Sequence, residues 1–263
     1  MFEEINFFKF GFNLKKTITM KKKVFSLLIA LFSINILLAQ IVVFSPVKVE
    51  QEDVEQFLNV EMNYSKQIAQ DAVNNGNLLG WALLKNTNPG PDDFNYIWVN
   101  AYPDINTAAN KNAWWNNSEK VVGIKPDVLF SDGSKYKFDR SYTYKMEMTI
   151  PNTANAEYVI LNFATPDDVD AVAASSKKYV LPHFKKNMSD HGMVGWGMAT
   201  KITPQGQDYS SIMFYDSYDS LANAMRHLAG EGVVKDLPLD KLEKVTWEMR
   251  PLMKVVAGTE AKQ

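Results

Sequence analysis

The sequence predicts an α+β fold in which one chain carries two tandem β-α-β-β-α-β units. Three observations carry that prediction. The stretch Leu78-Leu79-Gly80-Trp81-Ala82-Leu83-Leu84 returns 115 residues on, from Gly80 to Gly195, as Met193-Val194-Gly195-Trp196-Gly197-Met198-Ala199. In the same ungapped register Asp53, Val54 and Tyr64 fall on Asp168, Val169 and Tyr179, and Pro89, Asp93, Ile97, Asp104 and Ala109 fall on Pro204, Asp208, Ile212, Asp219 and Ala224. Scattered identities in one register mark a repeated structural unit. Hydrophobic periodicity then gives each half the order strand, helix, strand, strand, helix, strand, a split unit with its helices on one sheet face.

Along the chain, Lys21-Lys22-Lys23 precede the apolar run Val24 to Ala39, which ends in a small residue before Gln40. That pattern is a secretory signal peptide. The run holds 16 residues, short of the ~20 that a membrane span needs, so no span remains after cleavage. Met20 reads as the start, with the residues before it an upstream extension. Residues 1–39 are therefore set aside, leaving a first repeat at 40–151 and a second at 152–263. The chain has no cysteine, which suits an oxidising compartment and excludes disulfides and thiolate metal sites. The mature chain holds 22 basic and 28 acidic residues, no electrostatic case for nucleic acid or anionic membrane.

Val42 to Val49 reads as a strand. Glu52 and Asp53 open a helix, acids suiting its positive end. Its apolar stripe runs through Val54, Phe57, Leu58, Met62, Ala69, Ala72 and Val73, and Asn74-Asn75-Gly76 stops it. Strands follow at Leu78 to Lys85 and Phe94 to Ala101, then a short helix from Asp104 to Trp115 and a strand at Tyr142 to Ile150. The second half repeats this with a strand at Tyr158 to Ala164. The next helix starts at Thr165-Pro166-Asp167, and Pro182 should bend or divide it. Strands at Met193 to Ile202 and Tyr209 to Asp216, a helix from Ser217 to Ala229 and a last strand at Lys244 to Met253 complete the half. The first half alone carries an insertion, about 116–140, whose Asp132-Gly133 reads as a hairpin turn.

Two such units, each with a Gly-aromatic pair opening its second strand, resemble the dimeric α/β-barrel superfamily in a duplicated, single-chain form. The resemblance covers Val42 to Met253 and implies two ferredoxin-like sheets closed into a pseudo-dimeric barrel. It also implies a range of activities: cofactor-independent monooxygenases, haem-degrading enzymes, haem peroxidases, and binding proteins with no reaction. Haem-degrading relatives use an Asn, a Trp and a His, for which Asn162, Trp98 and His227 are the matching residue types. Trp98 belongs to the other half, so the triad does not assemble within either repeat.

Alternation assigns faces. Ile97 and Val99, with Ile212 and Phe214 in the second half, are expected under the helices. Phe94, Tyr96, Trp98, Tyr209, Met213 and Tyr215, together with Asn162, are expected to line a pocket inside the barrel, with Trp81 and Trp196 nearby in equivalent positions. The competing expectation is that these side chains fill the barrel solidly. Among the histidines, His183 falls on an apolar helix stripe and reads first as a packed residue. His191 lies in a loop, and His227 near a helix end. No metal-ligand spacing occurs, and no cofactor is required, haem being the one that the resemblance admits. Trp114-Trp115 is an aromatic pair able to stack on a flat ligand. The sequence thus gives an exported protein that binds a small apolar or aromatic molecule, or alternatively a monooxygenase or haem-handling enzyme using the same cavity. N-terminal sequencing of the secreted protein should begin at about Gln40; a product that retains Lys21-Lys23 would exclude cleavage there.

Overall fold

The computed structural model describes residues 41–110, 114–129 and 136–260. The expected signal segment and the expected Asp132-Gly133 turn lie outside them. The elements are β1 (Ile41–Lys48), helix α1 (51–74), β2 (Gly80–Asn86), β3 (Tyr96–Tyr102), α2 (Ile105–Ala108), α3 (Ser118–Val122), α4 (Pro126–Leu129), β4 (Lys137–Phe138) and β5 (Tyr142–Ile150). They continue with β6 (Tyr158–Ala164), helix α5 (169–187), β7 (Met193–Thr203), β8 (Ile212–Tyr218), α6 (Leu221–Leu228), β9 (Trp247–Met249) and β10 (Leu252–Gly258). Among the described residues no helix is long and apolar enough to cross a membrane.

The strands form a closed antiparallel barrel. Residues up to Ile150 supply the order β5-β1-β3-β2, and residues from Tyr158 supply β10-β6-β8-β7. The two groups join where β5 pairs with β7 and β10 with β2. Eight strands close the ring, and β4 and β9 add to β1 and β6 outside it. Closure leaves no open edge in the ring, and alternate side chains turn inward. Phe44, Leu84, Ile97, Tyr144, Leu161, Phe163, Met213 and Met253 fill that interior.

Each long helix covers the outer face of its own half. From α1, Phe57, Ala69, Ala72 and Val73 pack on Trp81, Leu83 and Tyr96. From α5, Val172, Val180, Phe184 and Met188 pack on Ile160, Trp196, Met198 and Phe214. Both helices contain one wide π turn, at Glu61–Ser65 and Ser176–Val180. The second ends where Pro182 opens a fresh α-helical segment; a proline in a helix removes one N–H bond, which a wide turn accommodates.

Four expectations are corrected. The face assignment inverts for β3. Strand pairing sets Trp81 beside Asn100 and Leu83 beside Trp98, whereas Trp196 lies beside Asp216 and Met198 beside Phe214. With the tryptophans matched, Trp98 corresponds to Phe214, one residue off the ungapped register. A slip of one residue exchanges the two faces of a strand. Ile97 and Val99 therefore point into the barrel, and Tyr96 and Trp98 lie under the helix. Asn162 likewise lies on the helix side, because Val159, Leu161 and Phe163 are the inward residues of β6. The last strand is not 244–253: Pro251, which lacks an N–H, separates the exposed β9 from β10, and β10 closes the barrel. The helix expected from Asp104 to Trp115 is a single turn, with Asp104 capping it by accepting from the Thr107 amide at 2.8 Å.

The Gly-Trp-Gly stretch of β7 has a steric basis. A Cβ on Gly197 would collide with the ring of Tyr215 in the facing strand, and Tyr215 is held by a 2.6 Å hydrogen bond to Thr149. Gly80 has no such neighbour; its nearest atom is Thr259 Oγ1 at 3.9 Å. Gly197→Ala should therefore destabilise the fold by roughly 1–3 kcal/mol, the usual cost of overpacking, and Gly80→Ala by less than 1 kcal/mol. Chemical denaturation of both variants checks the contrast, and equal losses would contradict it.

Candidate functional site

A sizeable cavity lies outside the barrel, between α1 and the outer face of the first-half sheet. Its volume is about 530 Å³, within the usual range for small-molecule sites. Trp81, Trp98, Asn100 and Ser45 rise from the sheet. Phe57, Val60, Glu61 and Tyr64 descend from α1. The remaining wall comes from the insertion and its flanks, through Trp114, Trp115, Ile124, Leu129, Tyr136 and Ser141.

The aromatic rings hold one another in place. Tyr136 meets Trp98 edge to face at 5.1 Å, and Trp98 also touches Phe57 at 5.9 Å. Trp114 contacts Trp81 at 6.5 Å and Trp115 at 5.7 Å, both edge-on. Such pairs contribute ~0.5–1.5 kcal/mol each beyond the area they bury. Several of the polar groups are already engaged with one another. Trp98 Nε1 donates to Glu61 Oε2 at 2.9 Å, Trp114 Nε1 donates to Asn100 Oδ1 at 3.0 Å, and the Ser45 and Ser141 hydroxyls meet at 2.7 Å.

Glu61 is the unusual group. It sits in the wide turn of α1 and is only 5 % exposed. Burial pushes its carboxyl up to about 7, while hydrogen bonds from Trp98 and Ser65 favour the charged form and oppose that rise. Burial also raises the Tyr136 phenol, and the charge of Glu61 adds to the effect.

The second half lacks the equivalent space because it is filled. Phe184 stands edge-on to Trp196 at 5.7 Å, Trp196 lies 5.9 Å from Phe214, and Trp247 caps Phe214 at 5.6 Å. The residue 115 positions before Phe184 is Ala69. A small residue on α1 and a roof from the insertion therefore accompany the cavity.

Of the residues expected to form a site, Trp81 and Trp98 line this cavity. Tyr96 is buried beneath Phe57, with ring centroids 5.0 Å apart. Phe94, Met213 and Tyr215 belong to the barrel interior, and Trp196 to the core under α5. Tyr209 stands near the barrel rim, where the Arg140 guanidinium lies 5.1 Å above its ring and hydrogen-bonds its hydroxyl. These eight residues do not converge. Asn162 and His227 instead share a buried network. Arg250 Nε donates to Asn162 Oδ1 at 2.7 Å, and Asn162 Nδ2 donates to Asp216 Oδ2 at 2.6 Å. His227 Nε2 faces the same Asp216 oxygen at 3.6 Å, and its Nδ1 lies 2.5 Å from the Tyr218 hydroxyl. Burial lowers His227 below the usual histidine range, so the neutral ring accepts from Tyr218. His183 is packed, its Nε2 2.8 Å from the Val233 carbonyl. Glu61, Tyr136, Ser45 and Ser141 were not singled out by sequence. Trp81, Trp98 and the Trp114-Trp115 pair are the lining residues that the sequence had marked for a ligand site.

The cavity residues do not fit haem. None of those lining it is His, Lys or Arg, so no imidazole is placed to bind iron and no cation to pair with the propionates.

No protein-family model matches the sequence, and no curated protein matches it. Solved structures do match. A provisionally assigned monooxygenase from Lactobacillus acidophilus has a TM-score of 0.54 at 12% identity, covering 85% of this chain and 97% of its own. A second, from Fusobacterium nucleatum, has a TM-score of 0.54 at 11% identity, covering 86% and 97%. A chlorite dismutase variant from Candidatus Nitrospira defluvii has a TM-score of 0.50 at 6% identity, covering 83% and 91%. The shared feature is the fold. All three likenesses are to dimeric α/β-barrel proteins, and at these identities they carry no residue roles.

The Glu61 carboxyl makes stability depend on pH. In the unfolded chain it titrates near 4.5, and in the folded protein near 7. Between those values the folded state keeps a proton that the unfolded state has released, so stability falls as pH rises through that window. Glu61→Gln removes this penalty, on the order of 3 kcal/mol at pH 8. The variant should gain stability over wild type at pH 8 and show little difference at pH 4.5. Thermal unfolding at both values checks this, and an equal shift at both would rule out the titration.

Proposed function

We propose that this is an exported protein that binds a small, flat, largely apolar molecule in the cavity between α1 and the first-half sheet. The observation that carries the reading is the cavity itself, about 530 Å³ walled by tryptophan, tyrosine and phenylalanine around one buried carboxylate. Apolar walls with a few placed polar groups are the usual make-up of a ligand site. Export rests on the Lys21-Lys23 segment and the apolar run that ends in Ala39. The chain is read as two copies of one ferredoxin-like unit, 40–151 and 152–263, paired within itself. The matching strand orders of its halves and the wide turns 115 residues apart support that reading. The first copy has kept the cavity and the second has closed it.

A second reading, oxygenation of an activated flat substrate, draws on two observations. The fold likeness includes provisionally assigned monooxygenases, and a carboxyl near 7 can take up a substrate proton at neutral pH.

Tryptophan fluorescence tests the first reading, since Trp81, Trp98, Trp114 and Trp115 all line the cavity. Titration with 2-naphthol should give saturable quenching. Val60→Trp, which places a large ring in the space, should abolish it, and Trp98→Ala should weaken it roughly tenfold. Quenching that is linear, or unchanged in Val60→Trp, would falsify binding there. Oxygen consumption on adding 2-naphthol that is lost in Glu61→Gln would move the assignment to the second reading.

A further inference from the structure

The chemical class of the ligand follows from the electrostatics of the cavity; this step rests on the binding reading above. We propose that the cavity recognises an organic cation, an amine or quaternary ammonium on a small apolar body, with Glu61 as its counter-ion and the tryptophan and tyrosine rings as its cage.

Glu61 accepts hydrogen bonds from Trp98 Nε1 and from Ser65, both of which favour the charged carboxylate. No lysine, arginine or histidine among the described residues contributes to its charge environment. A buried carboxylate without a protein cation is costly, and a cationic ligand removes that cost. The titratable groups facing it from neighbouring elements are Tyr136 in the insertion and Tyr64 on α1, neither of which can supply a positive charge.

The remaining walls point the same way. The faces of aromatic rings carry negative potential and attract cations, most strongly for tryptophan. Two of the four lining indoles, Trp98 and Trp114, turn their N–H groups onto Glu61 and Asn100. With no basic residue in the lining, an anion would find no positive charge to pair with and would face the charge of Glu61. A neutral hydrocarbon would gain burial but leave the carboxylate uncompensated.

Phenyltrimethylammonium and tert-butylbenzene have nearly the same shape and differ in charge, and benzoate supplies the opposite sign. Tryptophan quenching by each at pH 8 should rank the cation at least tenfold tighter than the hydrocarbon, with benzoate weakest. The cation's advantage should shrink as pH falls from 8 to 5.5, because protonation of Glu61 removes the counter-charge. Glu61→Gln should abolish the advantage, bringing phenyltrimethylammonium to the affinity of tert-butylbenzene in the same variant. The pH series on wild type serves the same purpose should that variant fold poorly. If tert-butylbenzene or benzoate binds as tightly as the cation at pH 8, or if the advantage persists undiminished in Glu61→Gln, the cation assignment is overturned while the cavity remains a binding site. If none of the three gives quenching that Val60→Trp removes, both the assignment and the binding reading fall.

Discussion

The structure depends on one strand finding its place. β10 pairs on one side with β6 and on the other with β2, across the join between the two halves. β5 and β7 make the other join. Without these contacts each half would be an open sheet with a naked edge and an uncovered apolar face, the arrangement that invites pairing with other chains. Closure satisfies backbone and side chains together. It buries Phe44, Tyr144, Leu161 and Phe163 inside the ring, and it leaves each outer face to be covered by that half's long helix.

That division of labour places the cavity. The ring interior is occupied by packed side chains and the second outer face by the stack of Phe184, Trp196, Phe214 and Trp247. On the first outer face the insertion supplies Tyr136, Ile124 and Leu129 as a separate wall, standing off from the sheet. Trp81 matches Trp196, yet one helps enclose space and the other fills it. The difference lies in what the neighbouring helix and connection bring, not in the strand residue itself.

Strand positions and the barrel were legible in the sequence because alternation and turn residues are local signals. Tyr142–Ile150 and Tyr158–Ala164 have the ends that periodicity predicts. Faces were less legible. An ungapped register of 115 carried the reading correctly through α1 and β2, but the turn before β3 differs by one residue from its counterpart, and parity was lost there. Met213 and Tyr215 kept their inward assignment, whereas Tyr96 and Trp98 exchanged theirs. Pro251 moved the last strand for an equally local reason. Glu61 gave no signal, since an acid between Val60 and Met62 early in a helix reads as solvated. Its burial is created by Trp98 and Tyr136, 37 and 75 residues away in the chain, and no window along the sequence spans that distance.

The wide turn of α1 has a consequence for how this site can change. Such a turn contains one residue more than an α-helical turn, so the helix before it and the helix after it are out of phase by about 100° relative to an uninterrupted helix. Phe57 on the early side and Ala69, Ala72 and Val73 on the late side all face the sheet, and they do so because the extra residue adjusts the phase between them. Losing a single residue from 61–65 would restore regular winding and rotate one of those two groups off its partners. Point substitution at Glu61 changes the chemistry of the cavity without touching this phase, whereas a one-residue deletion would reset it. The acidic position and the seating of the helix are thus linked geometrically, and evolution can vary the charge far more readily than the place where it is held.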